Sequence, residues 1–225
     1  MKSLIKVASY WKVRLDDNFC LSPGEEVYFP SLLSIAKKSN KILEVGVGKG
    51  RMVNILRDKG VDAEFYGVDI TDNVKRSGSI AVMGDARKLP FRDNTFDLVY
   101  TLGVIEHFPE TPRAVEEHAR VAKKGGHVLI TTPHLSVFTP LRYAGYQFFH
   151  RKYGSFEEIE GRNIKLDAMK RYFTDSNLDI RNFGVYGTYV IWRFLRMLKL
   201  DAIQRKLQEI TPIGAFLYVT GMKKD

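Results

Sequence analysis

The stretch Ile42 to Met52, ILEVGVGKGRM, constrains the fold more than any other part of the chain. Ile42, Leu43 and Val45 read as a buried strand, the chain then turns on Gly46, Gly48 and Gly50, and MVNIL resumes with the spacing of a helix. A strand, a glycine turn and a helix in this order make a βα unit, which builds a parallel sheet. Glycines spaced this closely let backbone approach something held against the turn. A nucleotide phosphate, a nucleoside thioether and plain packing all meet that description, and the rest of the chain has to choose among them.

Strand and helix patterns alternate from Lys41 onward. Strands are expected at 41–46, 63–69, 79–83, 96–101 and 126–132, with helices at 50–59, 72–76 and 110–123. The last of these closes on RVAKKGG, with basic residues in its final turn and glycines suited to a left-handed cap. After Thr132 the rhythm changes: 133–161 is long, aromatic and without clear periodicity. A helix then fits 162–175, strands fit 178–186 and 213–222, and an amphipathic helix is inserted between them at about 189–209.

These segments predict one domain over 1–225. Residues 1–40 form a helical appendage, 41–132 the ligand-binding core, 133–162 an aromatic insertion and 188–210 the inserted helix. The charged and apolar fractions, 27% and 44%, suit a globular chain. No apolar run is long enough to span a bilayer, and Lys6 and Lys12 interrupt the segment a signal peptide would need, so a cytoplasmic protein is expected. With Cys20 the sole cysteine and neither HExxH nor CxxC present, nothing supports a metal site. The net charge is +9, and most of the excess lies after Thr132. That bias is compatible with an anionic partner, whether nucleic acid, an acidic membrane surface or an anionic substrate, and equally with a solvated basic face; without aromatic and basic residues arranged as a nucleic-acid module, nucleic acid is not the expected partner.

The glycine spacing is GxGxG. A dinucleotide fingerprint would place its third glycine where Arg51 stands. Diphosphate binding aims helix N–H groups at negative charge, whereas a nucleoside without phosphates needs close backbone approach and carboxylates for its hydroxyls and amines. Carboxylates are what this chain supplies: Glu44 before the turn, Asp69 at the end of the second strand and Asp85 after the third. In open α/β sheets the ligand crevice lies at these carboxyl ends. A turn or cap role is the competing assignment for Glu44, and a helix N-cap the competing one for Asp85.

The segments ILEVGVGKG, YGVDI, GDARKLPFRDNTFDLVY, LGVIEHF and KKGGHVLITTP together resemble the class I S-adenosylmethionine-dependent methyltransferases. The likeness is to the type 11 group, which includes ubiquinone- and menaquinone-biosynthesis enzymes. It covers about residues 40–132, and Lys124 stands where the family usually has proline. The resemblance implies an α/β, Rossmann-like three-layer sandwich with a mostly parallel seven-stranded sheet in the order 3-2-1-4-5-7-6. The last strand runs antiparallel, and helices cover both faces. It further implies S-adenosylmethionine as cofactor, with S-adenosylhomocysteine as product. Glu44, Gly46, Gly48 and Gly50 would cradle the methionine end, Asp69 the ribose and Ile70 the adenine. Asp85 would take the adenine amine and Ala86 the ring through its backbone, while Leu102, Gly103 and His107 would line the methionine side.

Methyl transfer from a sulfonium is an in-line displacement that depends mainly on positioning, and a base is needed only where the acceptor must lose a proton. His107 and His134 are the candidate catalytic bases; His118 and His150 read as surface residues. TLGVIEHF lacks the Asn/Asp-Pro-Pro-aromatic clamp for an amide or adenine nitrogen, and Cys20 is remote from the motifs, which argues against DNA bases as acceptor. Seven aromatics between Phe138 and Phe156 favour a small apolar or aromatic acceptor methylated at oxygen or carbon. Core packing explains the same rings equally well. Arg193, Arg196 and Lys199 recur among Ile191, Trp192, Phe194, Leu195 and Leu198, a pattern compatible with peripheral contact to an anionic membrane, with a lid or with a dimer contact. RNA or protein methylation and donor binding without catalysis are the alternatives. The sequence sets no oligomeric state.

Overall fold

The computed structural model describes residues 21, 24–136, 139–149, 155–159, 161–186 and 214–225. Strands β1 (Lys41–Val45), β2 (Glu64–Asp69), β3 (Ile80–Met83), β4 (Phe96–Leu102), β5 (Ala122–Pro133), β6 (Leu178–Tyr186) and β7 (Phe216–Lys223) form a single sheet. Its order is β3-β2-β1-β4-β5-β7-β6. The pairs among β1 to β5 are parallel, and β7 is antiparallel to both β5 and β6. This is the seven-stranded arrangement the motifs lead one to expect.

Alternation along the strands separates two cores. Leu43, Val45, Val68, Val99, Val128 and Ile130 face one side, where α3 (Thr111–Val121) and α6 (Leu166–Asp175) cover them with Ala114, Val115, Met169 and Phe173. Ile42, Phe65, Leu98, Tyr100 and Leu129 face the other, under α1 (Glu25–Ala36) and α2 (Arg51–Asp58), which contribute Tyr28, Leu32, Met52 and Leu56. Residues of this kind are each worth about 1.5–3 kcal/mol on full burial, so both helical layers are held mainly by packing.

Several boundaries differ from the sequence-based expectation for visible reasons. Helix α3 ends at Val121, and Ala122 is already extended, with φ −67° and ψ 141°. Lys123 and Lys124 therefore lie in β5, where Lys123 Nζ reaches Asp97 Oδ1 at 2.6 Å. The left-handed glycine Gly125 sits inside a strand irregularity in place of a helix cap. Asp72–Arg76 forms a 3-10 turn where a helix was expected. The aromatic stretch contains two helices, α4 (Thr139–Phe149) and α5 (Phe156–Ile159). Residues 188–210, Cys20, His150 and most of the segment before α1 lie outside the described residues.

Candidate functional site: the carboxyl edge of the sheet

Strand β1 runs directly into the glycine turn, and Gly46, Gly48 and Gly50 all take positive φ, at 83°, 50° and 80°. No L-residue adopts such a run without strain. A β-carbon at Gly46 would stand 2.2 Å from Val104 Cγ2, so absence of a side chain lets the β1 turn meet the turn after β4.

Four of the turn's own N–H groups find their acceptors inside the protein. Gly46 and Val47 both donate to the Val68 carbonyl, at 2.7 and 3.1 Å, and Gly50 donates to the Val47 carbonyl at 2.8 Å. Gly48 donates to Asp69 Oδ2 at 2.9 Å. These four donors are thus committed within the protein, whereas a diphosphate cradle needs such groups aimed outward.

The carboxylates arrive from adjacent strand ends. Glu44 is buried at 5% exposure. Its Oε2 accepts from the Tyr100 hydroxyl at 2.9 Å across the β1–β4 pair. Burial pushes the Glu44 carboxyl up to about 8, and burial with the adjoining Glu44 carries the Tyr100 phenol well above its usual range. Asp69 accepts from Thr71 N and Oγ1 through Oδ1, each at 2.8 Å, in addition to Gly48. Ile70, next in the chain, is 45% exposed.

Gly84 N donates to the Asp69 carbonyl at 2.9 Å, bringing the loop after β3 to the same edge. There Asp85 forms an ion pair with Arg87, whose Nη2 lies 2.6 Å from Oδ2, and the guanidinium holds the carboxyl below its usual range. Arg87 also reaches Glu110 Oε2 at 3.0 Å. Ala86 packs its methyl group into the core. Asp85 is therefore neither an N-cap nor a bare acid; it makes a side-chain turn with Arg87 N at 2.8 Å.

Leu102 ends β4, and Gly103 after it donates its N–H to the Thr131 carbonyl at 3.1 Å. A 3-10 turn, Ile105–His107, follows and carries His107. The residue holding this turn in place was not legible from the motifs: Arg162 donates to the Glu106 carbonyl from N at 3.1 Å, to Thr111 Oγ1 from Nη2 at 2.7 Å and to the Phe108 carbonyl. Gly161 sits on the Glu106 side chain, where a β-carbon would come within 2.2 Å of Cγ. Only the three-dimensional return of residues 161–164 to the edge exposes this role.

His134 leaves β5 with its Nδ1 3.0 Å from the Ile164 carbonyl. A carbonyl only accepts, so in the neutral ring the hydrogen sits on Nδ1 and Nε2 is the basic nitrogen. His118, expected at the surface, is fully buried. Its Nδ1 lies 2.6 Å from the Ala114 carbonyl one turn earlier, and burial lowers it to about 4. No group of His, Cys, Asp and Glu among the described residues is placed to hold a metal ion.

Residues 43–130, spanning β1 to most of β5, match the family model of the methyltransferase domain. The matched stretch is less than half of the chain. The match falls on the same stretch as the motifs that resemble the S-adenosylmethionine-dependent methyltransferases. Tocopherol O-methyltransferase, chloroplastic, of Arabidopsis thaliana is 33% identical over 108 residues, covering 43% of this chain and 31% of that protein. Demethylmenaquinone methyltransferase of Anoxybacillus flavithermus is 32% identical over 134 residues, covering 52% of this chain and 56% of that protein. The chain thus spans less than two thirds of the length of these relatives. Among solved structures, an S-adenosylmethionine-dependent methyltransferase from Mesorhizobium loti superposes with a TM-score of 0.60 at 14% identity, over 87% of this chain and 97% of that one. At that identity the likeness is one of fold.

Proposed function

We propose that this chain transfers the methyl group of S-adenosylmethionine to an oxygen or carbon of a small apolar or aromatic acceptor, leaving S-adenosylhomocysteine. The observation that carries the reading is the glycine turn: the N–H groups of Gly46, Val47, Gly48 and Gly50 are spent on Val68, Val47 and Asp69, while Glu44 and Asp69 stand at neighbouring strand ends. That donor set fits a phosphate-free nucleoside bearing cationic groups and works against a diphosphate.

Glu44 with Gly46, Gly48 and Gly50 holds the methionine end in this reading. Asp69 retains acceptor capacity beyond its three bonds for a ribose hydroxyl. The exposed Ile70 side chain offers apolar surface to the adenine ring. Asp85 shares its carboxylate between Arg87 and the adenine amine, with the Ala86 backbone beside the ring. Leu102, Gly103 and His107 flank the methionine side.

When bound, S-adenosylmethionine supplies a sulfonium methyl carbon that a nucleophile displaces in line. The protein's task is to align the acceptor and exclude water. His134 Nε2 takes the proton from a hydroxyl acceptor, because its Nδ1–H is committed to the Ile164 carbonyl. The ring cluster Tyr143, Tyr146 and Phe156, with centroids 5.4 to 6.1 Å apart, covers the acceptor side. Helix α5 lies against the 3-10 turn bearing His107, which supports that placement. The two curated relatives described above act, by name, on tocopherol and demethylmenaquinone, which agrees with an apolar ring acceptor.

The test is formation of S-adenosylhomocysteine from S-adenosylmethionine with a panel of phenols, quinols and fatty acids. We expect turnover with a member of the panel, and a loss of roughly 10² in kcat for His134→Gln with a phenolic acceptor at unchanged donor affinity. Donor binding without product from the panel or from a whole metabolite extract would contradict the enzymatic reading. Full turnover by His134→Gln would remove the base.

A further inference from the structure

Glu44 and Tyr100 form a buried acid–phenol pair on the sheet face covered by α1 and α2. Tyr100 is fully buried and Glu44 nearly so, and the parallel register sets them directly opposite each other, with Gly67 on the other flank of Glu44. Glu44 stands two residues before Gly46, the first glycine of the turn beside which the donor's methionine end would lie. The groups acting on Glu44 come from every element around it: Tyr100 from β4, Arg51 from α2, Asp69 from β2 and Glu25 from α1. Arg51 is itself ion-paired with Glu25, which dilutes its support for a negative charge on Glu44. Two of the other neighbours are acids. A carboxyl enclosed in this way, with one cation already shared and two acids close by, favours its neutral form until a further cation arrives.

We propose that Tyr100 is a positioning residue for the methyl donor, holding Glu44 beneath the glycine turn, and that Glu44 gives up a proton when the cationic donor binds. This rests on the reading of the edge as a donor site. In the free chain Glu44 carries its proton at neutral pH. The donor brings a sulfonium and an amino group, and their positive charge makes the ionised carboxylate the favoured form. The proton passes to solvent as the donor seats, so binding becomes stronger as pH rises. Tyr100 serves this exchange in two ways. Its hydroxyl fixes the direction of Glu44 Oε2 at 2.9 Å, and it donates to the carboxylate once that has formed. Burial raising Glu44 to about 8 places the exchange across the neutral range.

The test is calorimetric titration of S-adenosylmethionine into the full chain at pH 7, in buffers of different ionisation enthalpy, with affinities followed from pH 6 to 9. Linkage predicts release of about one proton per donor at pH 7. It also predicts affinity rising roughly tenfold per pH unit from pH 6 to 7.5 and levelling above pH 8. Glu44→Gln should abolish the Glu44 share of both effects, leaving only the ligand's own titration, which serves as the baseline. Tyr100→Phe removes one oxygen and the hydrogen bond that favours the ionised acid. It should move the rising limb to higher pH and weaken binding several-fold at pH 7. Circular dichroism establishes that each variant is folded, and Glu44→Gln decides the matter if Tyr100→Phe is not. Donor binding with the same proton balance in wild type and Glu44→Gln overturns the inference while leaving the donor site intact. A Tyr100→Phe profile superimposable on wild type removes the positioning role. Absence of donor binding would instead fell the functional reading on which it rests.

Discussion

Gly50 and Gly60 take nearly the same left-handed backbone, with φ of 80° and 77°, yet they bear very different loads. A β-carbon at Gly50 would lie 2.0 Å from the Ser77 carbonyl oxygen, a backbone atom that cannot swing away, whereas nothing stands within 4 Å of one at Gly60. Gly60→Ala should therefore cost only the conformational strain of about 1 kcal/mol. Gly50→Ala adds a displaced 3-10 turn beside Asp69 and should cost about 2 kcal/mol or more, lowering Tm by roughly 4–8 °C. Equal losses in thermal melts of the two variants would contradict the packing described here. At this scale the left-handed backbone of the glycines and the place of Asp69 at the end of β2 were legible, because glycine spacing reports backbone conformation and the apolar run before Asp69 marks the strand. The partners of Glu44, Asp85 and His118 were not. Tyr100 lies 56 residues from Glu44, and whether the imidazole of His118 faces core or water depends on how α3 docks.

Among the elements, the 3-10 turn Ile105–His107 is the one most dependent on a distant segment. Arg162 holds its Glu106 and Phe108 carbonyls together with Thr111 Oγ1. Arg162→Ala removes a charged donor from part-buried acceptors, a loss of about 2–3 kcal/mol. Because the turn flanks the donor's methionine side in our reading, the same change should lower kcat more than it raises the KM for donor. Steady-state kinetics beside thermal melts check this, and a purely thermal defect with unaltered kinetics would confine Arg162 to stability. Strands with alternating or continuous apolar runs were read from sequence to within a few residues. Helix α3 was overextended because lysines and glycines after it mimic a capped terminus; extended pairing of Ala122 with Phe96 decided otherwise. Helices α4 and α5 were missed because their aromatic residues follow no single apolar stripe.

Over the whole molecule, two buried groups impose opposite pH dependence on stability. His118 lies at about 4 when folded, below its usual 6.5, so its contribution is fully present above pH 6.5 and is lost as pH falls through 4. The loss is of order 3 kcal/mol. Glu44 lies at about 8, above its usual 4.5, so its contribution is fully present below pH 4.5 and is lost as pH rises through 8. Thermal melts should show His118→Leu flattening the acid limb and Glu44→Gln the alkaline one; limbs unchanged in these variants would contradict the assignment. The sheet order belongs to this scale as well, and it was legible only through the resemblance of motifs in residues 40–132. Nothing in the local pattern of β6 and β7 says which of them lies beside β5.

In the reading proposed above, the carboxyl edge of β1, β2 and β4 holds a phosphate-free adenosyl group. Calorimetric titration of the purified chain with S-adenosylmethionine and, separately, with a nicotinamide dinucleotide tests it most directly, with Asp69→Ala alongside. We expect saturable binding of S-adenosylmethionine, at least tenfold weaker in Asp69→Ala, and no uptake of the dinucleotide. Binding of the dinucleotide in its place, or S-adenosylmethionine affinity indifferent to Asp69, would contradict it.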